Sequence, residues 1–215
     1  RGVIDENQVV GIVSNNSLCL RPEMTTSIVK LSSTRLINKK RPIRLFTNGM
    51  VFDKKQNNKN SSKLQEKLQS GIELIGYDTK YPEIEVINIL FDSIDNINLK
   101  DGCNLFLLVS TTKIMDLILN KYKNNNFEEI KKSLVNFDQD NLSKLGIDED
   151  DKYILKDLLF TRGEPIAILK KLKTIYGTSK TLDDLNFLFE TLSKISNKYG
   201  VKLQLDPTFQ PHLNL

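Results

Sequence analysis

The sequence predicts an α+β fold in which an antiparallel sheet is flanked by helices and a further helical layer is inserted late in the chain. Three observations carry this. Two strand-like segments, "IRLFTNGMVFD" (43–53) and "LQSGIELIGYD" (68–78), flank a polar stretch. Apolar residues then recur at helical spacing on either side of the continuous apolar run "CNLFLLVST". After Tyr122, about 70 residues are nearly all helical pattern, until "VKLQLD" alternates again as a strand does.

Each element has its own signal. "VVGIVSNNSLCL" places short apolar segments around Ser14, Asn15, Asn16 and Ser17, a β-hairpin pattern. From Thr25 or Thr26, the positions Ile28, Val29, Leu31 and Leu36 fit a helix of about three turns capped by a threonine hydroxyl. Between the long strands, Lys54 to Lys63 contain no apolar residue, so that stretch is expected to be a mobile, solvated hairpin loop. "YPEIEVINILFDSI" has proline near a helix start and Ile84, Ile87, Leu90, Phe91 and Ile94 on one face. "CNLFLLVST" suits a central strand, and "TKIMDLILNKY" a helix after it. Lys123 to Asn126 form a polar break. The longest helix spans Thr181 to Tyr199, with Leu182, Leu185, Leu188, Phe189, Leu192 and Ile195 as its stripe, and Gly200 ends it. The expected organisation is a core over 1–122, a helical insertion over 123–200 and a return strand of the core over 201–215. The chain opens on Arg1 without an initiator methionine or a signal-peptide pattern. Its numbering is therefore expected to begin inside a longer protein, with parts of the core beyond both ends.

Bulk properties exclude several classes. A chain of 215 residues suffices for one good-sized core, or for one domain with a helical appendage. Hydrophobic content of 39% and charged content of 27% are those of a soluble globular protein, and no run approaches the roughly 20 apolar residues of a membrane span. The net charge of +4 comes from lysines spread along the chain, which reads as composition bias, whereas nucleic-acid binders concentrate charge on one face. Cys19 and Cys103 lie in apolar strand-like runs with neither CxxC spacing nor a nearby histidine. They read as small core residues in a reducing compartment, the cytoplasm, and not as a disulfide or zinc site. His212 is the sole histidine, which leaves no basis for a histidine dyad or a multi-histidine metal centre; no metal or cofactor is expected.

Two places could carry chemistry. Glu23 follows the rigid Pro22 where a strand gives way to a helix, so its carboxylate can accept hydrogen bonds from an ammonium with the Thr25 hydroxyl beside it. On spacing alone, an acid complementing the helix N-terminus is the stronger account. Gln69 and Glu73 are four apart in a strand pattern and share a face with Gly71 between them, while Ser70, Ile72 and Leu74 face the other way. That makes a polar floor with backbone room above it, although an ordinary solvent face fits the pattern equally well.

"LRPEMTTSI" (20–28), followed by "GMVFDKK" and "LQEKLQSGIELIG", resembles the core of class II histidyl-tRNA synthetases and their non-synthetase relatives. Those families carry an LRPE or LRPD segment leading to a threonine, then strand, loop and strand ending in glutamine, glycine and glutamate. The likeness is strong over Leu20 to Ile87 and looser through the helical layer to Asp206. It implies a class II aminoacyl-tRNA synthetase-like antiparallel sheet. It also implies a histidine pocket of Glu23, Thr25 and Gln69, which would hold the amino group, and Glu73, which would reach the imidazole.

Departures from the synthetase pattern are equally specific. A catalytic member carries an ATP-gripping arginine directly after the phenylalanine of its second motif, and this chain has Asp53 after Phe52. An anion there repels triphosphate at a cost of several kcal/mol in a shielded site. The loop's "RxR" pattern falls at Lys63 and Gln65, and Pro211 falls near a later catalytic arginine. Asp53 and Gln65 thus mark a degenerate ATP site. A core of this kind is similar to the regulatory subunit of ATP phosphoribosyltransferase, which does no chemistry itself. It pairs as a dimer and joins a short-form catalytic subunit in a hetero-octamer, giving activity and histidine feedback in the first step of histidine synthesis. The resemblance implies those partners, L-histidine as effector, and no tRNA binding. The alternatives are a fragment of an active histidyl-tRNA synthetase and a free-standing paralogue that binds RNA.

Overall fold

A computed structural model describes residues 9–12, 18–56, 62–77, 82–97, 104–123 and 126–210. The chain forms two units that divide after Pro82. In the first, β1 (Gly11–Ile12) pairs antiparallel with β2 (Leu18–Cys19), Gly11 opposite Cys19. The turn expected over 14–17 lies outside the described residues. Cys19 is exposed, contrary to the expected core position, because a ribbon of two-residue strands buries neither face. Cys103 lies outside the described residues.

Helix α1 (Thr25–Ser33) buries Ile28 and Ser32. Its first turn is capped differently from the expectation. No threonine hydroxyl serves; instead both carboxylate oxygens of Glu23 accept from the Thr26 N–H, at 2.9 and 3.0 Å. Glu23 lies just ahead of the helix, and its longer side chain reaches the second turn-forming amide.

Strands β3 (Ile43–Gln56) and β4 (Ser62–Ile75) pair antiparallel along their whole length, from Ile43 opposite Ile75 to Gln56 opposite Ser62. Pairing therefore continues through Lys54–Gln56 and Ser62–Lys63, which were expected to be loop. Ladder hydrogen bonds are made by the backbone, so a lysine-rich stretch can extend a ribbon where alternate side chains reach water. At the other end, Arg41 donates to Ser32 Oγ (2.8 Å) and to the Ser32 carbonyl (3.2 Å), tying the approach to β3 onto α1.

The second unit runs from α2 (Pro82–Asn96) through β5 (Phe106–Val109), α3 (Thr112–Leu119), a 3-10 turn (Asn120–Tyr122), α4 (Phe127–Val135), α5 (Gln139–Lys144), α6 (Glu149–Leu159), α7 (Pro165–Tyr176), α8 (Lys180–Lys198) and β6 (Lys202–Leu205). Composition changes character at Lys123, but the fold does not: the residues on either side belong to one unit. Helix starts are set by short polar side chains. Thr111 accepts from Lys113 N, Asp138 from Asn141 N, Asp148 from Asp150 N, Glu164 from Ala167 N and Ser179 from Leu182 N. Pro165 follows its cap at a position whose N–H would have no helical partner. Gly200, at φ +65°, turns the chain out of α8.

Strand β6 pairs with β5, in parallel register from Phe106 opposite Lys202 to Val109 opposite Leu205. The core of this unit comprises Ile114, Ile118, Ile130, Leu134, Leu142, Leu155, Leu169, Leu172 and Leu182, all fully buried. Each such side chain contributes about 1.5–3 kcal/mol by leaving water. The α8 stripe is buried from Leu182 to Leu192 as its spacing predicts. Among the buried polar groups of this unit, Asp151 pairs with Lys121 at 2.5 Å. Burial, and secondarily the Asp151 charge, raises the Tyr122 phenol well above its usual range; burial does the same for Tyr176.

Candidate functional site

The β3–β4 ribbon generates the site by parity. Directly opposed residues of an antiparallel pair share a face, so Leu45, Thr47, Gly49, Val51 and Asp53 lie on the same side as Glu73, Gly71, Gln69, Lys67 and Gln65. Phe46, Met50, Leu68 and Ile72 occupy the other side and are exposed. The first face is the polar floor expected from Gln69, Gly71 and Glu73. Across from Gly71, the Thr47 hydroxyl lies 3.3 Å from where a β-carbon would stand, so any larger residue at 71 would fill the notch between Gln69 and Glu73. The Gln69 Oε1 atom is buried and has no hydrogen-bond partner.

The segment after β2 runs along the outer edge of β3 and reaches this floor with its side chains. The Phe52 N–H donates to the Arg21 carbonyl (2.9 Å), which seats the segment along β3. Met24 Cε and Sδ then lie 3.4 and 3.6 Å from a β-carbon position on Gly49, and Arg21 Nη1 lies 3.9 Å from it. Gly49 is opposite Gln69, so Arg21 and Met24 sit over the Gln69 face. Arg21 and Met24, which flank Glu23 in sequence, thus lie on the Gln69 side of the ribbon. No hydrogen bond joins Glu23 or Thr25 to Gln69 or Glu73 among the described residues, and the Glu23 carboxylate is engaged by Thr26.

Farther along the same face, Asp53 stands opposite Gln65 and forms an ion pair with Lys67. Its Oδ2 takes the ammonium, while its buried Oδ1 has no hydrogen-bond partner. Sequence reasoning missed Lys67, although its odd-numbered position between Gln65 and Gln69 places it on this face. It also left Arg21 without a role, because only the seating along β3 aims that side chain. Pro211 and His212 lie outside the described residues. Among the described residues no group of three or more His, Cys, Asp or Glu could hold a metal ion, and no helix is long and apolar enough to cross a membrane.

The family model for histidyl-tRNA synthetase matches residues 3–214. The chain belongs to the histidyl-tRNA synthetase family. Within it, the chain is 73% identical over 215 residues to an ATP phosphoribosyltransferase regulatory subunit of Prochlorococcus marinus subsp. pastoris, covering 100% of this chain and 56% of that protein. A second strain of Prochlorococcus marinus has a protein of the same description that is 40% identical over 214 residues, covering 100% of this chain and 55% of the relative. The chain therefore spans about half the length of the curated relatives it matches.

Solved structures agree on the fold. An ATP phosphoribosyltransferase regulatory subunit/histidyl-tRNA synthetase from Bacillus halodurans superposes with a TM-score of 0.82 at 22% identity, over 99% of this chain and 56% of that one. A chain of an ATP phosphoribosyl transferase (HisG:HisZ) complex from Thermotoga maritima gives a TM-score of 0.68 at 13% identity, over 98% and 76%. At these identities the likeness shows the class II synthetase-like fold alone.

Proposed function

We propose that this chain is part of a non-catalytic regulatory subunit of ATP phosphoribosyltransferase, acting with a short-form catalytic subunit in the first step of histidine synthesis. The observation that carries the reading is the Asp53–Lys67 ion pair on the polar face of β3–β4. An anion stands where a synthetase relative needs a guanidinium for the nucleotide. Among the described residues, Lys67 is the lysine that pairs with this carboxylate, and the pair neutralises it. A triphosphate at this face would find a carboxylate in place of a cation, a repulsion that low local dielectric strengthens. The regulatory-subunit names of the relatives at 73% and 40% identity support the same reading.

In this account the amino-acid end of the floor is retained. Gln69 and Glu73, with Glu23 and Thr25 at the start of α1, form a cradle for L-histidine, and Asp53 and Gln65 mark the degenerate nucleotide end. The subunit dimerises with itself and assembles with its catalytic partner as a hetero-octamer in the cytoplasm. Histidine feedback is then a coupling free energy, typically about 1–3 kcal/mol, between the effector site and the partner's reaction. Reconstitution tests this: the catalytic subunit gains ATP phosphoribosyltransferase activity when this protein is added, and histidine suppresses it. No gain on mixing would overturn the assignment. Removing Gln69 or Glu73 is expected to weaken histidine binding by about 10-fold each, the cost of one charge-assisted hydrogen bond. Calorimetric titration checks it, and unchanged affinity in both variants would move the effector elsewhere.

A further inference from the structure

We infer that Arg21 is the carboxylate-gripping residue of this floor, so that the ligand is selected as a zwitterionic α-amino acid. The inference rests on the amino-acid cradle proposed above. Its own basis is the placement of one cation beside one orphaned acceptor. Arg21 Nη1 lies 3.9 Å from the β-carbon position of Gly49, the cross-strand partner of Gln69. The guanidinium has one contact among the described residues, the Met24 thioether at 3.6 Å, a weak neutral acceptor. It therefore holds a fork of donors with no carboxylate to receive them.

Among the described side chains, the other cations on this face are spoken for or distant. Lys67 is paired with Asp53. Lys63 lies six residues along β4 from Gln69, about 20 Å at strand spacing. Gln69 presents the complementary deficiency, a buried Oε1 with no donor. A buried acceptor of this kind costs stability unless a ligand satisfies it. An ammonium donating to Gln69 Oε1, with a carboxylate on the same α-carbon receiving the Arg21 fork, satisfies both groups at once. A phosphate would satisfy Arg21 but would leave Gln69 Oε1 without a donor. The glycine at 49 lets Met24 and Arg21 approach the β3 backbone, within 3.4 to 3.9 Å of where a β-carbon would stand.

The test compares L-histidine with histamine, which keeps the ammonium and imidazole and lacks the carboxylate. Both are titrated by calorimetry into wild type, Arg21→Ala and Arg21→Lys, with circular dichroism confirming the fold. Among the described residues the Arg21 side chain has no partner beyond Met24, and its main-chain bond from Phe52 survives substitution, so the fold should stay intact. Arg21→Ala is expected to lose about 10- to 100-fold in histidine affinity with histamine affinity unchanged, and Arg21→Lys to recover part of the loss. Histidine binding that is unchanged in Arg21→Ala overturns the role of Arg21 and leaves the cradle standing. Equal losses for both ligands also overturn it, by showing an effect unrelated to the carboxylate. Failure of the wild type to bind histidine removes the cradle itself, and the inference with it.

Discussion

Asp206→Ala is expected to lower the unfolding free energy of the second unit by about 3–5 kcal/mol, the usual cost of breaking a buried ion pair from one side. Asp206 is 1% exposed. Its Oδ1 accepts from Thr208 N (3.0 Å), Thr208 Oγ (3.0 Å) and Phe209 N (3.1 Å), and its Oδ2 from Arg162 Nε (3.0 Å) and Nη2 (2.7 Å). Nearby, Gly163 and Leu205 exchange backbone hydrogen bonds at 2.8 and 3.2 Å. The carboxylate thus fastens the end of β6 to the segment after α6 and shapes the turn that follows. Alanine would leave the buried Thr208 amide without its acceptor, at about 1–3 kcal/mol, and the half-buried Phe209 amide as well. Asp206→Asn, which keeps one acceptor, should lose less. Urea denaturation measures both, and a loss below about 1 kcal/mol for alanine would show that the clasp is not structural.

Phe91→Ala should cost a similar amount, about 3–5 kcal/mol, by opening a cavity on the inner face of α2. The ring is 1% exposed and lies 5.5 Å from the Tyr199 ring at a 37° tilt. Tyr199 donates its hydroxyl to Asp92, so one aromatic contact and one hydrogen bond hold the end of α8 against α2. Phe91→Leu preserves most of the volume and should cost less than about 1.5 kcal/mol. Thermal unfolding of the two variants gives the comparison, and near-equal midpoints would mean that the ring's volume does not support this contact.

Periodicity made much of this fold legible in the chain. The stripe of α8 follows from apolar spacing, because a helix must bury that face somewhere, whereas of the α2 stripe Phe91 is buried and Leu90 is exposed. The polar floor was legible for the same reason, since parity fixes which of Gln69, Ser70, Gly71, Ile72 and Glu73 share a side. Backbone pairing was less visible. Lys54–Gln56 join β3 without any apolar signal, because the ladder needs only amides and carbonyls. The cap of α1 was read as threonine because the hydroxyl is the common solution, while a glutamate two residues ahead of Thr25 does the work.

The candidate site was partly legible. The resemblance pointed to Glu23, Thr25, Gln69, Glu73 and Asp53; the register puts Gln69, Glu73 and Asp53 on one face of the ribbon, while the Glu23 carboxylate caps α1. Lys67 became meaningful only once the register set it diagonal to Asp53. Arg21 required more, because its position depends on the main-chain bond from Phe52 that seats it along β3. No local pattern encodes that contact.

The most direct test of the regulatory reading is histidine-dependent exchange of labelled pyrophosphate into ATP by the full-length protein that carries this chain. An acid locked to Lys67 at the nucleotide end of the floor predicts exchange at background, with histidine still bound. Exchange that rises with histidine and saturates would contradict it, by showing that the fold activates its amino acid despite Asp53.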